Sequence, residues 1–329
     1  MLFNKSNNGQ AELKSLMGFL HASNTFANIE TDILLEHEAM TELIGKPVMD
    51  KAQTHYDSAA YNTGGDVKLL DDLVHYIQLP VAYYATHNYA SHSDVTHGDD
   101  GRKVVIDSAN EKMAWEWMIA RDDEATLNKA HKTTDRLIAF LEANATNIAE
   151  WKDSAAQKLA RSLFINTARQ FDDIFPIDNS RRFFLKILPF IRESERKYLL
   201  PVLGKTRFDD IKAALLTGNF TDYEDMLLLI RVPLVYYSLS LAVKRLSINM
   251  LPNGIFQDYI SDRLTMKAKQ PAPTDVRREI GQSFLADALL ELENLQKELS
   301  KLDAEAAAID YVPVDPIAHI DPEAQIFRI

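Results

Sequence analysis

The sequence has no cysteine, which removes disulfides, thiolate nucleophiles and thiolate metal ligands together. Basic residues are outnumbered, with 36 Lys and Arg against 48 Asp and Glu and a formal net charge of −12. Holding nucleic acid takes a basic face that neutralises phosphates, so this balance predicts no specific nucleic-acid partner. Long apolar runs are also scarce. No stretch reads as the roughly 18 to 20 apolar residues of a membrane span, and the opening MLFNKSNNGQ lacks the apolar centre of a signal peptide. The expectation is a chain with no membrane partner that stays in the cytoplasm where it is made. There is no Gly-rich phosphate loop, no GxSxG, no HExxH and no dinucleotide fingerprint, so no enzyme class and no cofactor is indicated.

What is present is an internal echo. Leu79-Pro80 precedes Tyr83-Tyr84, and Val232-Pro233 precedes Tyr236-Tyr237; Asp100-Gly101 and Asn253-Gly254 then follow at the same distance from their prolines. Upstream, Leu43-Ile44-Gly45-Lys46 matches Val202-Leu203-Gly204-Lys205, with Asp50 and Asp209 equally spaced beyond each Gly. A repeat of this length predicts a tandem duplication of one structural unit. The 329 residues divide into a first unit with an N-terminal extension (1–107), an inter-unit helical segment (108–165), a second unit (166–266) and a C-terminal part (267–329).

Each unit reads as helix, loop, Pro-kinked helix and β-hairpin, making a mainly α fold. Residues 1 to 10 are polar and read as irregular until something binds them, and Leu16 to His21 as a short strand. Phe26, Ile29, Ile33, Met40 and Ile44 then recur at helical spacing up to a stop at Gly45. Gln53 to Gly65 reads as a loop, and Pro80 predicts a kink or break in the next helix. The runs SDVTH and RKVVID flank one Gly-terminated turn, and LSINM and IFQDY flank the other, each predicting a hairpin. The second unit's first helix should start at Arg181 behind the Ser180 cap and stop at Gly204. A helix around Ala125 to Leu141 links the units, with Trp115, Trp117 and Met118 expected to pack between them. The Tyr pairs, at helical spacing beside Pro, read as core.

Lys267 to Thr274 reads as a Pro-interrupted linker, and a helix from Thr274 to about Ala308 follows. Leu285, Ala288, Leu292, Leu295, Leu299 and Leu302 alternate spacings of three and four, a seam that must be covered by a neighbour. Beyond it, prolines alternate with Val312, Val314, Ile317, Ile320, Ile326 and Phe327, the composition of an extended arm that adheres to a partner. The expected oligomer interface is therefore Leu285, Leu292, Leu295, Leu299, Leu302, Val314, Ile317, Ile320, Ile326 and Phe327. Truncation after Lys269 should then leave a folded two-unit body.

The one cluster with chemistry is His87, His92, Asp94 and His97, which combines imidazoles and a carboxylate as a divalent metal would require. Alternation along a strand points Asp94 and His97 to opposite faces, and the second unit has no matching His. A metal-dependent enzyme built on this hairpin is the rival reading.

The run DVTHGDDGRKVVID followed by EKMAWEWMIARDDEA resembles an uncharacterised family encoded by Bacteroidota phages and prophages beside other virion genes, over about Ile29 to Ser261. The repeat unit is also similar in architecture to the small helical head-to-tail connector (adaptor) proteins of tailed phages. These resemblances imply a structural virion protein in the neck, a homo-oligomeric ring between portal and tail, present in the host cytoplasm during assembly. A tail or capsid-decorating component is the alternative within the same particle.

Overall fold

Leu73, Val74, Ile77, Val81, Ala82 and Ala85 fall three or four residues apart and are all fully buried, forming the inner face of a long central helix, α4 (Lys68–Ser93). The computed structural model describes residues 1–18, 25–93, 96–98, 101–103, 115–245, 256–260, 267–271 and 274–310. Around α4 pack α1 (Gly9–Met17), α2 (Phe26–Ile44), α3 (Lys46–Asp57) and α5 (Glu116–Ala143). Pro80 does not break α4. A proline inside a helix costs about 3 kcal/mol, whereas Leu73, Val74, Ile77 and Val81 each contribute about 1.5–3 kcal/mol by burial on either side of it.

Short helices α6 (Ala149–Lys152), α7 (Ala155–Arg161) and α8 (Ala168–Asp172) lead to the second half. There α9 (Arg181–Ser194) passes through a π-turn (Glu195–Leu199) into α10 (Leu200–Leu203). Next come α11 (Lys205–Thr217) and the central α12 (Glu224–Arg245), which runs unbroken through Pro233. The long α13 (Thr274–Asp310) lies along α12. The two are antiparallel, because Ser240 Oγ donates to the Gly281 carbonyl (2.8 Å) at one end and Asp225 shares a groove with Lys301 at the other. Two apolar cores result, one around α4 and one around α12, and Leu185 borders both.

Gly45 and Gly204 each end one helix and begin the next with φ 91° and 72° and extended ψ, a conformation that only glycine adopts without strain. Each is followed by an exposed i,i+4 ion pair, Lys46–Asp50 and Lys205–Asp209, both 2.6 Å.

Several expectations need correction. The N-terminal residues are bound, not irregular: Leu2 and Phe3 are buried, Gln78 Nε2 donates to the Leu2 carbonyl (2.6 Å), and the Lys5 N–H donates to Tyr56 Oη (2.7 Å). Helix α1 occupies Gly9–Met17, overlapping the predicted strand, whose residues 19–21 lie outside the described residues. The start of the predicted loop, Gln53 to Asp57, is the end of helix α3, which buries Val48, Met49, Ala52 and Tyr56, while residues 58–64 are non-helical as expected. Trp115, Trp117 and Met118 are exposed at the start of α5 and do not pack between the units. Thr96–Gly98 (β1) pairs antiparallel with Gly101–Lys103 (β2) at the first predicted turn. Phe256–Ile260 (β3) pairs instead with Lys267–Pro271 (β4), so IFQDY meets the stretch read as a linker; LSINM and Asn253-Gly254 lie outside the described residues. The helical stretch Thr221–Arg245 is long and apolar enough to cross a membrane, contrary to the sequence reading, and 67% of its most apolar window is buried inside this chain as the second core's centre.

Candidate interaction surface

Sequence reasoning grouped four metal-ligating residues, and the structure separates them. His87 is half-buried on α4 with a buried Nδ1 that has no hydrogen-bond partner, and His92 is exposed one turn later. Asp94 lies outside the described residues, and only the backbone of His97 is described, in β1. Among the described residues no group of three or more His, Asp or Glu is placed to hold a metal ion. What stands near His87 is α2 and α5. Asn88 Nδ2 donates to Glu36 Oε1 (2.8 Å), and burial raises the Glu36 carboxyl against the lowering effects of that bond and of His87. His131 on α5 is held down to about 4, first by burial and then by Arg182, Lys186 and His87.

Two polar clusters, one joining the halves and one inside the second, were missed by sequence reasoning. Asp135 on α5 accepts from the Arg182 N–H (2.7 Å) and from Ser180 Oγ (3.3 Å), while Arg181 Nε donates to Glu142 (2.7 Å). These bonds pin the start of α9 against α5 and satisfy N–H groups that a helix start leaves open. Further on, Glu195 opens the π-turn four residues after Ile191, on the buried face of α9. Its carboxylate accepts from the Phe164 N–H (2.6 Å) and from Lys212 Nζ (2.7 Å), and Lys212 also caps the Ser162 carbonyl (2.6 Å) and lies 3.9 Å from the Phe164 ring centroid. Burial pushes the Glu195 carboxyl up and the Lys212 ammonium down, and each charge opposes the other's shift. The pair clamps the 162–164 turn, with Arg231 Nε holding the Phe164 carbonyl (3.0 Å). In the sequence RESERKY, Glu195 stands among charged neighbours with nothing to set it apart.

The predicted interface divides. Leu295 and Leu299 are buried in the second core of their own chain, with Leu292 half-buried against it, so these three are corrected to intramolecular packing. The stripe finds its cover in α12. Leu285 is half-buried alongside α12, and Leu302, level with the first turn of α12, is 45% exposed. Truncation after Lys269 would therefore remove Leu295 and Leu299 from the second core and leave the first core's residues intact. Val314, Ile317, Ile320, Ile326 and Phe327 lie outside the described residues.

Beside the covered seam runs an open groove of about 830 Å³ between the first turns of α12 and the latter half of α13. Leu228 (62% exposed) and Leu229 give it apolar walls, and Asp225, Glu291, Asn294, Lys297, Glu298 and Lys301 form its polar rim. Leu290 is exposed on the face of α13 that also carries Asn294, Lys297 and Lys301. A second apolar patch, Trp115, Trp117 and Met118, opens α5, and a third, Leu34 and Leu35, lies on α2.

The chain belongs to a family of unknown function, DUF6712, whose profile matches residues 33–161 and 199–305. No curated protein and no solved structure matches it.

Proposed function

We propose that this chain is a structural subunit of a tailed phage or phage-derived particle, a head-to-tail connector that assembles into a ring between portal and tail. The observation that carries the reading is one order of elements met twice. In the first half α2, Gly45, α3, a 3₁₀ turn (Gly65–Val67), the Pro-containing α4 and the long α5 follow one another. In the second half the same order is α9 to α10, Gly204, α11, a 3₁₀ turn (Thr221–Tyr223), the Pro-containing α12 and the long α13. Each segment matched by the family profile reaches from just before the Gly break into or past the long helix. We read this as a tandem duplication of one unit, each with its own hairpin. Two related units in a row favour head-to-tail contact between copies, where the second unit of one chain meets the first of the next, and such heterologous contacts close into rings. The exposed patches on α2, α5 and α12 supply apolar surface for that contact, and an acidic body would pass DNA without holding it. The protein would be found in the host cytoplasm during assembly and in the virion afterwards. Native mass spectrometry and negative-stain microscopy of the purified full chain test this, together with its detection in purified particles. Rings of one stoichiometry are expected. A chain that stays monomeric at about 100 μM, where typical stable interfaces are saturated, and is absent from particles overturns it.

A further inference from the structure

We infer that copies of this chain join by repeating a junction that each already holds inside itself: α13 of one copy takes the start of α2 of a second copy, as α5 takes the start of α9. The inference rests on the assembly reading and assigns its contact. Helix α5 lies antiparallel on α4, with Tyr76 stacked on Phe140 (4.6 Å between centroids) and Tyr84 beside His131 (5.9 Å), just as α13 lies antiparallel on α12. Gln78 and Arg231, each two residues before its proline, reach back to the carbonyls of Leu2 (2.6 Å) and Phe164 (3.0 Å). The two halves thus share their internal packing, and what differs is the neighbour on the outer side.

Setting Leu292-Glu293 on Leu141-Glu142 places Gly281, Leu285 and Ala288 on Ala130, Thr134 and Leu137, so that inward positions of α13 fall on inward positions of α5. The next row along α5 is Asp135, Ile138 and Glu142, and its two carboxylates hold α9. On α13 that row is Ala286, Leu289 and Glu293. Ile138 is wholly buried, whereas Leu289 is 53% exposed. On the other side of the junction, Phe184, Ile187 and Ile191 of α9 share the spacing of Phe26, Ile29 and Ile33 of α2, each set packed against its own core. Arg182, Leu185 and Lys186 then fall on Asn24, Ala27 and Asn28. Leu185 packs against the first core, but Ala27 and Asn28 are exposed. Thr31 and Leu34 continue the Ala27 row at helical spacing and are exposed too, uncharged where α9 reaches Arg192.

The charges leave both faces together. Inside the chain Asp135 accepts from the Arg182 N–H and Glu142 pairs with Arg181. Counterparts of the two arginines are Ser23 and Asn24, and the counterpart of Asp135 is Ala286. Glu293 remains, but Lys297 of its own helix already pairs with it (3.0 Å). Loss of acid and base at matching positions is what mating faces require, because a charge buried without its partner is strongly destabilising. Ala27 and Leu289 are exposed in their own chain, so one copy does not mate its own two faces. A second copy does, by a contact between unlike surfaces that can close into a ring.

The absence of cysteine makes the test direct. Full-length Ala27→Cys and Ala286→Cys chains are mixed and gently oxidised, and a disulfide between the two different chains is the expected product. Ala27→Cys mixed with Leu228→Cys sets the background of chance collisions. Leu289→Asp should weaken self-association about tenfold or more with an unchanged circular dichroism spectrum. Ala286→Asp supplies an acid without its base and should weaken it as well, and adding Asn24→Arg to the same chain should restore it. If Leu289→Asp assembles as well as the unaltered chain, or if the Ala27–Ala286 link does not exceed background, this contact falls while the assembly reading stands. Failure of Asn24→Arg to restore assembly overturns the matching of the two faces. A chain that never self-associates removes both readings.

Discussion

Replacing leucines one at a time along α13 separates packing within the chain from contact outside it. Leu295 and Leu299 are 1% and 5% exposed within the second core, whereas Leu302, on the same seam, is 45% exposed. Truncating a fully buried leucine to alanine removes its transfer free energy and leaves a cavity, together about 2–5 kcal/mol. Leu295→Ala and Leu299→Ala should each fall in that range, and Leu302→Ala should lie within about 0.5 kcal/mol of the parent, as surface changes do. With a urea slope of about 2 kcal/mol/M, the buried substitutions lower the second core's midpoint by about 1–2.5 M. Trp151 is wholly buried in the first core, so its fluorescence follows that core while far-ultraviolet dichroism follows both. The dichroism transition should shift more than the fluorescence transition in Leu295→Ala. The reasoning fails if Leu302→Ala is as destabilising as Leu295→Ala, or if Leu295→Ala leaves urea unfolding unchanged and abolishes self-association instead.

The glycine break offers a second measurement: an added Cβ at Gly204 meets nothing within 4 Å, so Gly204→Ala isolates the strain of a positive φ with extended ψ and should cost about 1–3 kcal/mol in urea unfolding. No loss of stability would show that the backbone relaxes there. A third concerns pH. His37 and His131 are both held down to about 4, chiefly by burial, against 6.5 in the unfolded chain. Between those values the unfolded chain binds protons that the folded one refuses, so stability should fall as pH drops from about 6.5 to about 4. Substituting both with Gln should flatten that decline, and an unchanged pH profile in the double variant would refute the assignment.

Much of the helical layout was legible because its signals are local. Gly45 ends α2, Ser180 accepts from the Phe183 N–H (3.3 Å) to start α9 at Arg181, and α13 begins at Thr274 as its sequence predicts. Helix α3 was hidden because two of its inward residues are polar: His55 and Tyr56 are buried through bonds to Asp71 (2.8 Å) and Glu12 (2.9 Å), partners 16 and 44 positions away. The seam of α13 was visible as a stripe, but periodicity says that a face is covered and not by which chain. Leu295 resting on its own core and Leu302 running past it therefore look alike in sequence. The Glu195 clamp was unreadable for another reason: Glu195 falls four residues after Ile191 on the buried face of α9, but its partners Lys212 and Phe164 stand 17 and 31 positions away in sequence.

The cover that α13 lays over α12 also sets an order on synthesis. The one helix among the described residues that is long and apolar enough to cross a membrane leaves the ribosome well before its partner, since α12 ends at Arg245 and α13 ends at Asp310. At translation rates of roughly 5–20 residues per second, α12 waits several seconds with one flank uncovered, while the first core is already able to close. That interval favours capture by a chaperone over collision with another nascent chain. It also makes any transcript or nuclease product that stops short of α13 a source of aggregates, because such a chain keeps a membrane-like helix and never receives the strip that shields it.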